Sequence, residues 1–148
     1  MILKINLYSI CFLVVGALGI EALSRGAKEA VFCDSSREAI RIIKQNLEQT
    51  NLINKANILN KDYMDTLNYL NKQGIKFDII FLDPPYKSKY GIIAIENIIK
   101  NSLLNENGII ILETDDKNKI DEIKNIKGIE VYDVRKYGIV LIIFIRKG

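Results

Sequence analysis

Short apolar runs and amphipathic stretches alternate along the chain. Runs rich in β-branched and aromatic residues predict strands. The predicted strands cover residues 10–15, 30–33, 56–59, 77–82, 109–113, 129–134 and 139–145. Stretches with apolar residues at helical spacing predict helices over residues 16–26, 35–51, 63–70, 90–104 and 117–126. Because no repeat, linker or low-complexity segment divides the chain, we predict a single domain over residues 1–148.

Residues 35–51 illustrate the helical pattern. Gly26 ends the preceding helix, since glycine is a frequent helix stop. Ser35 is followed three residues later by Glu38, a spacing that predicts a capping box. The apolar positions of this helix form one stripe, made of Ala39, Ile40, Ile43 and Leu47.

Strands that alternate with helices are typical of a parallel α/β sheet with helices on both faces. The runs FDIIFL and GIIILE are almost continuously apolar, which fits strands buried on both sides. No helix separates the last two predicted strands, so we expect them to form a hairpin. In such sheets ligands bind beyond the carboxyl ends of the strands, where the strand order reverses.

The composition narrows the chemistry. About half of the 148 residues are apolar and a quarter are charged, which is a globular balance. A net charge of +3 permits an anionic partner such as RNA without requiring one. The chain has no histidine, which excludes Ser-His and Cys-His nucleophiles and histidine metal sites, and we expect no metal. Cys11 and Cys33 both lie in apolar runs, which is typical of free thiols in a reducing, cytoplasmic setting.

The N-terminal region has two interpretations. An apolar run from Leu7 to Ile20 follows a lysine, as in a secretory signal. The run is short for a membrane span, and no small-x-small cleavage site precedes the helical pattern. The alternative is a buried strand that leads through a glycine turn into a helix, and on that basis we expect no membrane partner.

Gly16 and Gly19 lie between the first predicted strand and its helix. Glycine lets the backbone approach a ligand, and a helix start offers free N–H groups, although a tight turn without a ligand explains the pattern equally well. Asp34 closes the second strand, where a carboxylate can accept hydrogen bonds from both ribose hydroxyls of a nucleoside cofactor. The alternative is a carboxylate that favours a helix start. We assign the adjoining Ser35 to the same site.

Asp62 follows the third strand and Tyr63 adjoins it. An acid at this position can accept a hydrogen bond from an adenine amino group. A solvated helix cap is the alternative for Asp62.

The fourth strand runs directly into Asp83-Pro84-Pro85-Tyr86. The prolines fix φ and remove two backbone donors, which leaves the Asp83 carboxylate and the Pro84 carbonyl as a rigid set of acceptors. A planar amino group on a base can donate both hydrogens to them, which holds its nitrogen in line with an incoming methyl group. Tyr86 offers a face on which the base can stack. The alternative is a simple turn after a strand.

Taken together, these motifs resemble the RsmD family of bacterial 16S rRNA guanine-N2 methyltransferases. The resemblance rests on residues 16–48, KFDIIFLDPPY with Tyr90, GIIILET and VRKYG, which occur in the same order. It implies a Rossmann-like, seven-stranded S-adenosylmethionine methyltransferase fold that methylates the exocyclic N2 of a guanine in the small ribosomal subunit. RNA targets of this type are reached by flipping the base out.

The resemblance also implies roles for individual residues. Gly16 and Gly19 line the methionine side of S-adenosylmethionine, Asp34 with Ser35 holds the ribose, and Asp62 with Tyr63 holds the adenine. The segment from Asp83 to Tyr86 holds the target amino group. The substrate contacts are expected at Tyr86, Lys87 and Tyr90. We expect a monomer.

The chain also departs from the family pattern. Val14 and Val15 stand where the family has Gly-Ser, and Val14 places a branched side chain where the cofactor approaches the backbone. Ile10 replaces an acidic residue, and Ile139 stands where the family favours a polar one. The family's N-terminal RNA-binding segment is missing before Gly16, for which we hypothesise a reading-frame change or a wrong start site.

Other functions stay open at this point. A relative that has the fold but binds the cofactor poorly would fit the valines in the first motif. An adenine-N6 or cytosine-N4 nucleic-acid methyltransferase would share Asp-Pro-Pro-Tyr. A nicotinamide dehydrogenase would share the glycine turn and Asp34 but does not account for Asp-Pro-Pro-Tyr.

Overall fold

The computed structural model describes residues 10–12, 17–83 and 89–148. The strands are β1 Ile10–Phe12, β2 Ala30–Cys33, β3 Ala56–Leu59, β4 Phe77–Leu82, β5 Leu104–Thr114, β6 Ile129–Tyr137 and β7 Val140–Lys147. The helices are α1 Ala17–Ser24, α2 Arg37–Gln49, α3 Tyr63–Gln73, α4 Tyr90–Lys100 and α5 Asn118–Lys124. A short 3-10 helix, Ile53–Lys55, precedes β3.

The described strands form one sheet in the order β3-β2-β1-β4-β5-β7-β6. The first five strands of the chain pair in parallel, β7 pairs antiparallel with β5, and β6 pairs antiparallel with β7. This confirms the predicted Rossmann-like α/β fold with a C-terminal antiparallel hairpin. The order reverses between β1 and β4, so the fold has its switch point there.

Two apolar cores lie on opposite faces of the sheet. One core combines alternate residues of the central strands, such as Ile80 and Leu112, with α3, α4 and α5. The other combines Phe32, Phe81 and their neighbours with α1 and α2. Burial on both faces accounts for the nearly continuous apolar sequence of β4.

Helix α4 ends earlier than the sequence predicts. The apolar pattern predicts a helix to residue 104, but α4 ends at Lys100 and Leu104 already begins β5. Ser102 takes a left-handed conformation, with φ of 53°, and reverses the chain after the helix. Leu104 then pairs with Phe77. The leucines at 103 and 104 are apolar because they enter the core from the turn and the strand.

The hairpin between β6 and β7 is tighter than the sequence predicts. The predicted strand begins at Ile139, but Ile139 lies in a two-residue turn between the paired residues Tyr137 and Val140. Gly138 has φ of 61°, a conformation that the first position of such turns requires. Ile139 is consequently 78% exposed.

The start of helix α2 corrects another prediction. The N-cap is Ser36, whose side chain accepts a hydrogen bond from the N–H of Ala39 at 3.2 Å. Ser35 is exposed one residue earlier, and Glu38 pairs with Arg41 on the helix surface. The predicted capping box of Ser35 and Glu38 is therefore wrong: the N-cap lies one residue later, and Ala39 at the N3 position has no side chain that could complete a box.

Within the described ranges, no helix has the length and apolar character needed to cross a bilayer. Half of the apolar N-terminal run falls outside these ranges, and its C-terminal part opens helix α1.

Replacing the cap serine tests this assignment. We expect Ser36→Ala to lower the free energy of unfolding by about 1 kcal/mol, because the first turn of α2 loses its side-chain acceptor. Ser35→Ala, the matched control, should change it by less than about 0.5 kcal/mol. Urea denaturation followed by circular dichroism measures both, and equal losses would contradict the cap at Ser36.

Candidate functional site

Three acidic residues follow neighbouring parallel strands at one edge of the sheet. Asp34 comes directly after β2, Asp83 directly after β4, and Asp62 three residues after Leu59, the last residue of β3. Only β1 separates β2 from β4, so the ends that carry Asp34 and Asp83 are about 10 Å apart. Asp34 and Asp83 flank the switch point on either side of β1, where this class of sheet binds ligands, and Asp62 follows the outer strand β3.

Asp34 is half-buried and held by its neighbours. Its Oδ1 accepts a hydrogen bond from the N–H of Ser36 at 2.8 Å, and its own N–H donates to the carbonyl of Leu59 at 3.2 Å. A carboxylate has about four lone-pair sites, so one backbone bond leaves acceptor capacity for the hydroxyls of a ligand. The geometry thus fits the expected ribose acceptor.

Asp62 is the N-cap of helix α3. Its Oδ1 accepts from the N–H of Asp65 at 2.8 Å, and its carbonyl accepts from the hydroxyl of Thr66 at 2.8 Å. The helix-cap alternative is therefore what the structure shows for this side chain. Because Asp62 is also exposed, the expected adenine contact stays a prediction. Tyr63 is the first residue of α3, next to the cap.

The thiol of Cys33 lies beneath the two acids. Burial raises its pKa to about 12, the charges of Asp34 and Asp62 add to the increase, and a hydrogen bond with Thr66 opposes it. Both carboxylates are thus close enough to the thiol for their charges to raise its pKa. The thiol stays protonated at neutral pH and serves as packing rather than as a nucleophile.

Asn60 is a site residue that the sequence analysis missed. With its amide nitrogen turned toward β2, it donates to the carbonyl oxygen of Asp34 at 3.0 Å and to that of Ser35 at 3.2 Å. This contact ties the loop after β2 to the loop after β3. No local motif marks an asparagine for this role, because it depends on the pairing of β2 with β3.

Glu113 is a second missed residue. Leu82 pairs with Leu112 in the parallel register of β4 and β5, which places Asp83 and Glu113 side by side at the strand ends. Desolvation raises the pKa of Asp83. Desolvation, and then the charge of Asp83, raise the pKa of Glu113. The sequence GIIILET showed an acid at the end of a buried strand, and only the strand order makes it a neighbour of Asp83.

The remaining predicted residues divide into two groups. Gly19 lies in the first turn of α1 and is buried, rather than in the connecting loop, and Tyr90 is the exposed first residue of α4. The others lie outside the described residues: Val14, Val15, Gly16, Pro84, Pro85, Tyr86 and Lys87. Over the described ranges, no three acidic, cysteine or histidine side chains gather as metal ligands would.

A family model described as "Conserved hypothetical protein 95" matches residues 11–146. The chain belongs to this family. Two curated relatives, from Buchnera aphidicola and Haemophilus influenzae, carry the name "Ribosomal RNA small subunit methyltransferase D". The resemblance to the RsmD family is therefore confirmed.

One such relative comes from Buchnera aphidicola and is 37% identical over 103 residues, which are 70% of this chain and 50% of the relative. The chain spans about half the length of the curated relatives it matches. A solved structure of a conserved hypothetical protein from Streptococcus pyogenes is 29% identical with a TM-score of 0.83, covering 95% of this chain and 86% of that one.

A more distant structure shares the fold. The methyltransferase SMU.776, crystallised with SAH, has a TM-score of 0.73 at 16% identity, and the match covers 95% of this chain and 45% of that one. At this identity the likeness shows the fold alone.

The raised pKa values of the Asp83 and Glu113 carboxyls have a consequence for stability. An acid whose pKa is raised by folding opposes folding when it is ionised, and this penalty disappears as the pH falls below its usual pKa. We expect Asp83→Asn to stabilise the fold at about pH 7, by no more than about 1 kcal/mol because Asp83 is exposed.

The gain should shrink toward about pH 4, where the carboxyls of both states take up protons. Thermal unfolding of the wild type and Asp83→Asn at the two pH values measures this difference. A gain that grows on acidification would mean that the Asp83 carboxylate is stabilised by the fold, contrary to this account.

Proposed function

We propose that this chain methylates the exocyclic N2 of a guanine in 16S rRNA of the small ribosomal subunit, with S-adenosylmethionine as the methyl donor. The observation that carries the proposal is the position of Asp83, which directly follows β4 beside the switch point and lies about two strand spacings from Asp34. This arrangement sets an acceptor for an amino group next to an acceptor for a nucleoside. The family membership and the names of the relatives support the same reaction.

The cofactor side of the crevice uses the loops after β1, β2 and β3. Asp34 accepts hydrogen bonds from the ribose hydroxyls, because its bond to the N–H of Ser36 leaves lone pairs free for them. Asn60 holds the loop that carries Asp34 in place. Asp62 contributes a second acceptor for the adenine amino group, and Gly16 and Gly19 line the methionine end. SAH, the ligand of SMU.776, is what remains of S-adenosylmethionine after methyl transfer.

The target side uses the end of β4. S-adenosylmethionine supplies an electrophilic methyl carbon on a sulfonium. Asp83 accepts an N–H of the guanine amino group, and together with the Pro84 carbonyl it fixes the direction of the nitrogen lone pair. Methylation requires the amino group to give up one proton in exchange for the methyl group that S-adenosylmethionine would supply, and the Asp83 carboxylate would receive that proton. Because desolvation raises the pKa of this carboxyl, Asp83 accepts the proton more readily than an ordinary aspartate.

Glu113 favours guanine over the other amino-bearing bases. Guanine presents two neighbouring donors, N1–H and the N2 amino group, and the paired acids Asp83 and Glu113 present two neighbouring acceptors. In adenine and cytosine the ring nitrogen next to the amino group is itself an acceptor. That ring nitrogen and the Glu113 carboxylate would then be two acceptors facing each other, with no hydrogen to form a bond between them. The pair therefore supports guanine-N2 methylation over the adenine-N6 and cytosine-N4 alternatives.

We expect Asp83→Ala to lower the rate of methyl transfer by at least about 100-fold, because the amino group loses the acceptor that orients it. The affinity for S-adenosylmethionine should stay within a few-fold of the wild type. Transfer of label from the cofactor to undermodified small subunits measures the rate, and calorimetric titration measures the affinity. Normal methylation by the variant would contradict the role of Asp83, and a wild type that gives no heat at millimolar cofactor would favour a relative impaired by Val14 and Val15.

Glu113→Ala should lower kcat/KM for the subunits by roughly 10- to 100-fold, because the guanine N1–H loses its acceptor. Glu113→Gln should retain more activity, since its amide oxygen can still accept that hydrogen bond. Glu106→Ala is the matched control, because Glu106 is exposed at the opposite end of the same strand. Equal activities of Glu113→Ala and Glu106→Ala would exclude Glu113 from base recognition.

A further inference from the structure

We propose that the tip of the β6–β7 hairpin, defined as residues 135–140, is an RNA-docking element. It contacts the RNA nucleotides that adjoin the target nucleotide. The proposal rests on the proposed function, because it identifies a second contact for the same RNA. The tip lies outside the predicted substrate residues Tyr86, Lys87 and Tyr90.

The strand pairing brings the tip to the edge of the sheet that carries the acids. Strand β7 runs antiparallel to β5, with Thr114 opposite Leu141, so the turn before β7 projects from the edge where β4 and β5 end. One row of paired residues crosses the sheet from Glu113 through Ile142 to Arg135. At about 4.8 Å per strand, Arg135 is roughly 10 Å from Glu113 and roughly 14 Å from the β4 end at Asp83. A single-stranded RNA of a few nucleotides spans this distance.

The tip exposes side chains of the kind that bind single-stranded RNA. Ile139 is 78% exposed and Tyr137 is 56% exposed, the two highest values among the large apolar residues that the structure describes as exposed. Lys136 and Arg135 are exposed beside them. An aromatic ring next to cations offers a stacking surface for bases together with a charge for the phosphates. Isolated exposed apolar residues are ordinary, but two at one turn flanked by cations form a surface.

Arg135 is already held in place in the absence of RNA. Its Nε donates to the Asp133 carboxylate at 3.1 Å, and its guanidinium lies over the ring of Phe144 at 5.4 Å. Tyr137 lies two residues further along β6, and its ring is exposed. Because Arg135 is already ordered, binding has to overcome a smaller loss of side-chain entropy. The remaining donors of the guanidinium can meet a phosphate.

A second copy of this chain is a weaker candidate for the occupant. A contact between two tips would bring like charges together, because each tip carries two cations, Arg135 and Lys136, against one neighbouring acid, Asp133. The apolar part consists of two side chains, which is far below the area of a stable protein interface. The charge instead complements the phosphates of RNA.

The test measures RNA binding apart from catalysis, with fluorescein-labelled single-stranded RNA of mixed sequence and fluorescence anisotropy. We expect Tyr137→Ala to weaken binding by about tenfold or more and Tyr137→Phe to bind like the wild type, because stacking needs the ring and not the hydroxyl. Lys136→Ala should lower the slope of log affinity against log salt by about 1. Lys127→Ala is the charge-matched control, because Lys127 is exposed two residues before β6 begins, at the other end of the hairpin.

Ile139→Asp provides a variant that should leave the fold intact, because the side chain is almost fully exposed in a turn. It should weaken RNA binding while its melting temperature stays that of the wild type. With undermodified small subunits, the tip variants should raise KM and leave kcat unchanged, unlike Asp83→Ala.

Tip variants that bind RNA and methylate subunits like the wild type would overturn the docking element and leave the proposed function standing. The same holds if Ile139→Asp instead dissociates a dimer in sedimentation while RNA binding is unchanged. Loss of RNA binding in the tip variants would support the docking element even if the wild type transferred no methyl group, a result that would overturn the proposed function alone.

Discussion

The site depends on the parallel pairing of β4 with β1 on one side and β5 on the other. Parallel strands end at the same edge, so this pairing sets Asp83 beside Glu113, and the pairing of β1 with β2 brings Asp34 within two strand spacings of Asp83. The carboxylates at this edge oppose one another electrostatically, and two apolar cores hold the strands together against that repulsion. The position of the acids is therefore a consequence of sheet order, while the stability of the domain comes from the apolar cores.

Much of the fold follows from local pattern. Strands β2, β3 and β4 begin and end where the sequence predicts, because each is a compact apolar run with polar residues on both sides. The predicted end of α4 is wrong, since Leu103 and Leu104 continue the helical stripe while serving a turn and a strand. Ile139 misleads in the same way, because a large apolar residue in a turn looks like the start of a strand. These errors occur where an apolar residue adjoins a predicted helix or strand but belongs to a different part of the structure.

The candidate site shows the same division. Asp34, Asp62 and Asp83 could be found because each follows a strand in a recognisable motif. Asn60 and Glu113 could not, because their roles arise from strands that are neighbours in space. Asp62 shows a further limit: the sequence placed it at a helix start, but a single carboxylate can cap a helix and bind a ligand, and the described contacts establish only the cap.

The contact made by Asn60 joins two loops that belong to successive strands. Asp34 sits on one of these loops, and Asp62 follows Asn60 by two residues on the other. A displacement of either loop is transmitted to its neighbour through one amide, and the buried packing of Cys33 and Thr66 beneath them resists independent movement. The ribose and adenine ends of a bound nucleoside would therefore contact two loops that move together. Ordering one loop on binding would also order the other.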